Sequence, residues 1–440
     1  MKKRIGLLCL LLLAASLLTG CTLRTVDEMY RLPARSKADD HLQAAIDKAM
    51  KGLEYASPIA GENQQTVQTA DLNGDDVLDY IVFARDTANK ALRILVFAQV
   101  RQDFELVCAI ESHGTSFEQV EYVNMDDKPG LEIVVGRQVS DQVLRSVSVY
   151  SFSEGSPVQL MTANYLKFLT CDLDADKMTE LMLIQPGETD ADRGVAVLYS
   201  MASGSVERSR EVTLSSTADS VKRIMTSRLQ SGEPAVYVAS SADESAVITD
   251  IFTIRKGTFT NISFSNESGT SVQTLRNYYV YADDIDADGV LELPSLITMH
   301  DIQNSTGSER QYLIRWYAMD ITAAEHTKRH TFHNYLGGWY LELDSAWAER
   351  VSVVTTGNTF WFYVWDEEFK NAEPVFSVHV LTGADREEQA EEDNRFVLHR
   401  AEGVTYAARL ASGALSCQIT KENLITSFHL IYQAWKTGET

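Results

Sequence analysis

Twelve oxygen-bearing side chains recur in three short loops at the spacing a hard cation needs. Asp71, Asn73, Asp75 and Asp79 stand at positions 1, 3, 5 and 9 of the first; Asp172, Asp174, Asp176 and Glu180 repeat them, and so do Asp284, Asp286, Asp288 and Glu292. Alternate residues of a tight loop can aim their carboxylates at one centre, and calcium takes roughly six to eight oxygens at about 2.3–2.6 Å. A backbone carbonyl at position 7 (Val77, Met178 or Val290) and water would complete each shell. Calcium is the expected ion, because magnesium prefers to keep its waters. The competing reading is plain turn chemistry, in which Asp and Asn cap tight turns; one spacing met three times favours the ion. Position 12 is Val82 in the first loop and Leu183 in the second of these, where a helix–loop–helix calcium loop requires Glu. The loops therefore lead into strands. Carboxylates crowded into one turn repel each other, and an ion that binds only the folded chain converts that repulsion into a clasp, so the calcium is expected to be structural and not catalytic.

A fourth segment carries Asn124, Asp126 and Glu132 at the same places but has Lys128 at position 5, where an ammonium can replace the ion; this loop is expected to be metal-free. The densest histidine cluster is His326, His330 and His333. His326 and His330 are four apart, which puts them on one face of a helix or a strand, but Lys328 and Arg329 lie between them and disfavour a dication. A polar strand edge is expected there. The chain has no Gly-x-Ser-x-Gly elbow and no phosphate-binding P-loop, so no catalytic residue is assigned and no enzyme activity is expected. Tyr278, Tyr279, Tyr281, Trp316, Tyr317, Trp339, Trp347, Trp361 and Trp365 could stack on sugars, but at alternating positions they read first as sheet core.

The chain that must position these residues has 440 residues, enough for two to four units. Its formal net charge of −23 repels phosphate backbones and argues against nucleic-acid binding. Lys2, Lys3 and Arg4 precede an apolar run over residues 5–18 that is too short to span a bilayer, followed by Leu18-Thr19-Gly20-Cys21. This reads as an export signal. Residues 21–37 are aperiodic and suit a tether. Leu42, Ala45, Ile46, Ala49, Met50 and Leu53 recur at helical spacing, predicting an amphipathic helix over 38–55. Cys108, Cys171 and Cys417 are too few and too scattered for a disulfide scaffold, and read as small buried hydrophobes.

From residue 56 to 335 short apolar runs, such as 80–84, 92–100, 132–135, 143–152, 195–199 and 235–239, alternate with Gly, Asp, Asn and Ser clusters, predicting strands. The acidic segments beginning at Asp71, Asn124, Asp172 and Asp284 each lead into such a run. Their spacing is about 50 residues, with one double interval in which a degenerate copy, residues 228–238, keeps the turn and strand without the acids. A unit of that length holds roughly four short strands, and stacked four-stranded blades bury them economically. The fold expected is mainly β: a β-propeller of about five or more four-stranded blades, followed over 338–440 by a small α+β domain. That domain has strands at 359–365, 375–381 and 395–410 and a helix at 420–435; a sixth blade over 340–383 is the alternative.

Two resemblances follow from these motifs. The segment ending at Cys21 resembles the bacterial lipoprotein box, which implies cleavage after residue 20 and a lipid on the Cys21 sulfur; the alternative is an ordinary secretory signal. Thr22, not an acidic residue, follows the cysteine, so the resemblance places the protein on the outer membrane if its source has two membranes. The acidic repeat resembles the FG-GAP (VCBS, integrin-α-like) family of β-propellers, although the Phe-Gly and Gly-Ala-Pro signature is absent. That resemblance implies calcium in the acidic loops and a role in adhesion or ligand binding. Together they predict an extracytoplasmic, lipid-anchored binding module for a protein or glycan. The alternatives are an extracellular enzyme acting on glycan or peptide, and an accessory subunit of an envelope complex.

Overall fold

A computed structural model describes residues 37–140, 145–153, 156–189, 192–243, 246–278, 280–302 and 311–431. The expected export signal, Cys21 and residues 22–36 of the expected tether lie outside them. The described chain is mainly β, in six antiparallel sheets. Helix α1 (Lys37–Ala49) comes first. The first sheet holds β1 (Leu53–Tyr55), β2 (Val67–Ala70), β3 (Asp79–Asp86), β4 (Leu92–Val100) and β5 (Asp103–Ser112), with β1 and β2 sharing one edge of β3. The second runs β6 (Ser116–Val123), β7 (Glu132–Gln138), β8 (Arg145–Ser153), β9 (Ser156–Tyr165). The third runs β10 (Lys167–Cys171), β11 (Glu180–Gln185), β12 (Val195–Ala202), β13 (Ser205–Thr213), and the fourth β14 (Val221–Arg228), β15 (Pro234–Ser241), β16 (Val247–Arg255), β17 (Thr258–Asn261). The fifth contains β18 (Leu293–Thr298), β19 (Tyr312–Met319), β20 (Glu325–Asn334) and β21 (Trp339–Leu343). The sixth is built from β22 (Val351–Thr356), β23 (Thr359–Trp365), β24 (Ala372–Thr382), β25 (Phe396–Ala401) and β26 (Val404–Leu410), with β26 between β24 and β25.

Burial explains the sequence pattern. The strands that follow the acidic turns are apolar on both faces: Ile81, Val82 and Phe83 in β3, and Leu181, Met182 and Leu183 in β11, are fully buried. The outer strands β5, β9 and β13 are largely exposed and read as mixed polar and apolar. Five hydrophobic cores lie between consecutive sheets. Phe83 meets Phe117 between the first and second, Val134 and Leu181 share the next, Met182 and Val236 the next, Ile251 and Leu293 the next, and Phe332 and Phe362 the last. The remaining face of the first sheet packs Val82, Ala84, Leu95 and Phe97 against Ile46 of α1. The remaining face of the sixth packs Leu381 and Ala407 against Ala390, just after helix α2 (Arg386–Gln389). Among the described residues no core joins the sixth sheet to the first.

Several elements depart from expectation. The first helix ends at Ala49, not at 55, because Gly52, with φ of +80°, turns the chain into β1 and its pairing with β3. The predicted helix over 420–435 is only α3 (Lys421–Ser427), capped by the Thr420 side chain, which accepts from Asn423 N. Its apolar continuation becomes β27 (Phe428–Leu430), because β21 offers an open edge. The β20–β21 hairpin spans residues 335–338, so Trp339–Leu343 belongs to the fifth sheet. Residues 395–410 form the β25–β26 hairpin. Cys108, Cys171 and Cys417 are free thiols.

Candidate metal centres

The acidic segments fold alike. Each connects a first strand or bridge to an apolar strand, and each buries its position-9 carboxylate beneath the loop. Asp79, Glu132, Glu180 and Glu292 are all buried, and each accepts from the backbone N–H of position 2: Leu72 at 3.1 Å, Met125 at 2.8 Å, Leu173 at 2.8 Å and Ile285 at 3.0 Å. Position 1 gathers the next turn. Asp172 accepts from Asp176 N and Lys177 N, and Asp284 from Asp288 N and Gly289 N. Position 4 is left-handed in every loop, at Gly74, Asp127, Ala175 and Ala287.

Two loops assemble acidic triads. In the third sheet Asp172, Asp174 and Glu180 bring carboxylate oxygens within 4.8 Å of one another, and Asp284, Asp286 and Glu292 do the same before the fifth. These groups could hold a metal ion. In the fifth-sheet loop Glu292 has 0% exposure, and its Oε1, like Asp286 Oδ1, is buried with no hydrogen-bond partner. A buried ionised oxygen in that condition calls for a cation. Burial, with the neighbouring acids adding, pushes Glu180 and Glu292 up to about 7.

Position 5 does not join either triad. Asp176 Oδ1 accepts from Met178 N at 2.7 Å, and Asp288 accepts from Val290 N and from Lys328 Nζ, the latter at 2.7 Å. The first loop has the same turn, but Asn73 bonds Asp75 through both its amide atoms, and among the described residues no three acidic oxygens of Asp71, Asp75 and Asp79 gather as in the other two. In the second loop Lys128 Nζ donates to Asp126. The degenerate copy keeps a tight turn, with Gly232 N donating to Leu229 O and Leu229 N to Glu233 O.

Successive loops also touch. Leu131 N, at position 8 of the second loop, donates to Asp71 O at position 1 of the first, and Thr179 N repeats the bond to Asn124 O. Gly130 is needed for this approach, since a Cβ there would sit 2.6 Å from Leu72 O. Leu291 N donates instead to Ser227 Oγ, beside the Arg228–Val290 bridge.

A second repeat lies in the strands and carries no acids. In five sheets one residue is extra in the strand that follows the central pair: Val107, Leu160, Ser209, Lys328 and Val375, each opposite a register break at Phe97, Tyr150, Tyr199, Tyr317 and Tyr363. The aromatic at each break is the sequence signal. This bulge separates His326, which pairs with Asp320 at 2.9 Å near the surface, from His330, which is buried. They do not share a face, contrary to the four-residue spacing.

A cleft of about 820 Å³ opens between the fifth and sixth sheets, with Tyr278, His333, Asn334 and Tyr335 on one side and Thr355 and Asn358 on the other. Burial depresses His333 to about 3, so its imidazole is neutral. Of the aromatics named from sequence, Tyr281, Trp316, Tyr317, Trp339 and Trp347 are buried, and among the described residues only Tyr278 of that set lines the cleft.

No family model matches the chain, and no curated protein does. Similar solved structures include rhamnogalacturonan lyase YesW, at a TM-score of 0.33 and 10% identity, covering 72% of this chain and 71% of that one. The exotype rhamnogalacturonan lyase YesX gives 0.30 and 10% over 82% and 72%. The Bacillus licheniformis rhamnogalacturonan lyase PL11 gives 0.32 and 10% over 73% and 74%. At that level of likeness the chain's own geometry has to carry the functional argument.

Proposed function

We propose that this chain is a lipid-tethered, extracytoplasmic binding module of FG-GAP type, in which a propeller-like row of blades is stiffened by calcium at the joints between them. One observation carries the reading: acidic triads stand in the same loops whose counterparts bond from sheet to sheet. Asp172, Asp174 and Glu180 would hold one ion, and Asp284, Asp286 and Glu292 another. Calcium, a hard cation that accepts irregular oxygen shells, suits donors of this kind. The ion supplies positive charge that the clustered carboxylates lack, and so fixes each loop against its neighbour. Rigid joints let a row of sheets present a constant surface to a protein or glycan, and the cleft between the fifth and sixth sheets is the concave part of that surface. Cys21 would carry the lipid.

The test is a thermal melt of residues 37–440 in calcium, in magnesium and in chelator. Calcium is expected to raise the melting temperature and magnesium to do much less. Equal melting in all three would remove the ions, and with them the main support for the FG-GAP reading. The double variant D172A/D174A is expected to lose part of the calcium gain and little in chelator.

A further inference from the structure

Lys328 occupies a place no sequence pattern singled out for the metal. It is the extra residue of the bulge in β20: Arg329 pairs with Trp316 and Thr327 with Tyr317, which leaves Lys328 unmatched. A bulge re-aims the side chain it carries. Here the side chain is only 18% exposed, and its ammonium reaches across to the acidic loop, 2.7 Å from Asp288 Oδ2. Asp288 is the position-5 acid. The same cation also lies in the field of Asp286 and Glu292, which add to Asp288 in holding its proton. At the corresponding bulges the other sheets have Val107, Leu160, Ser209 and Val375, none of them charged. Ser209, the bulge residue of the third sheet, spends its hydroxyl on Leu198 O at 2.9 Å.

We propose that Lys328 is a built-in competitor for the cation of the fifth-sheet loop, which it makes the weaker of the two sites. The inference rests on the calcium reading above. A dication entering among Asp284, Asp286 and Glu292 meets a fixed positive charge and must either displace it from Asp288 or bind beside it, and both weaken the site. Without the ion, Lys328 ties β20 to the loop, so the loop keeps a counter-charge at every calcium level. The third-sheet triad has no such ion pair among the described residues: Arg210 acts on Asp174 only from a distance, and this triad is the tighter site.

Calcium is titrated calorimetrically into the full chain and into K328Q and K328R, with melts of each in chelator and in saturating calcium. The parent is expected to show two affinities, the weaker of which tightens about tenfold in K328Q and stays in K328R. K328Q is also expected to melt below the parent in chelator but not in calcium, a crossing that a purely structural lysine would not produce. Two classes of site with an unchanged weaker affinity in K328Q would overturn the proposal and leave the calcium reading standing. No calcium uptake by either parent or K328Q would overturn both together.

Discussion

At position 4 of each acidic loop the backbone is left-handed, and the residue found there decides the strain. Ala175 and Ala287 hold φ near +60°, which costs a non-glycine residue about 1–2 kcal/mol. A175G is therefore expected to stabilise the protein by about 0.5 kcal/mol, after the extra freedom of glycine in the unfolded chain is subtracted. G74A, at the same position, is expected to cost about 2 kcal/mol or more, because its Cβ would lie 2.5 Å from Pro129 Cβ and 2.7 Å from Gly130 N. Urea melts in chelator measure both. The buried glutamates give a second prediction. Glu180 and Glu292 titrate near 7 in the folded loop against 4.5 for a free glutamate. A folded value raised in this way contributes stability that is complete below about pH 4.5 and is lost as pH rises through 7. In chelator the parent should thus lose stability relative to E180Q/E292Q between pH 5 and 8, while the gain from calcium grows over the same window, as the ion replaces the proton. Scanning calorimetry at four pH values checks the sign. The spacing of positions 1, 3 and 9 was readable because those ligands are local in sequence. The diversion of Asp288 was not, because its partner lies 40 residues away on another strand.

Among the elements, apolar runs announced several strands that are buried on both faces, as in β3, β7 and β11, while β16, equally buried, was not among them. Elements decided by a distant partner were misread. Phe428 and Leu430 suit a helix as well as a strand, and the free edge of β21 settles the matter. Likewise the His326–His330 spacing fails across a bulge whose only trace in the sequence is an aromatic on the strand opposite. Helix α1 was legible from its apolar stripe, and that stripe has a use: Ile46, 2% exposed, covers the face of the first sheet that no other sheet covers. I46A is expected to cost about 2–4 kcal/mol in a urea melt and to expose that face to a hydrophobic dye.

At the scale of the whole molecule, the repeat spacing conveyed that similar sheets follow one another, and the cores between consecutive sheets supply the physical reason. It did not convey how the row ends. Alpha-helical segments cover both terminal faces, α1 on the first sheet and the Ala390 turn on the sixth, as capping elements do in stacked repeats. The proposed lipid on Cys21 belongs to this scale too: C21S is expected to move the protein from the membrane fraction to the soluble one, and fractionation with palmitate labelling checks it. The chain leaves the fifth sheet at β21, builds the whole sixth sheet, and comes back to pair β27 with β21. The sixth sheet is thus a closed excursion whose two ends are fastened at one strand. A partner pulling on it would load two routes into the fifth sheet in parallel, the covalent link from β21 and the hydrogen-bonded pairing of β27 with β21. The sixth sheet could not swing out like a door on one hinge; it would have to peel β27 away first, so Phe428–Leu430 act as its latch against force.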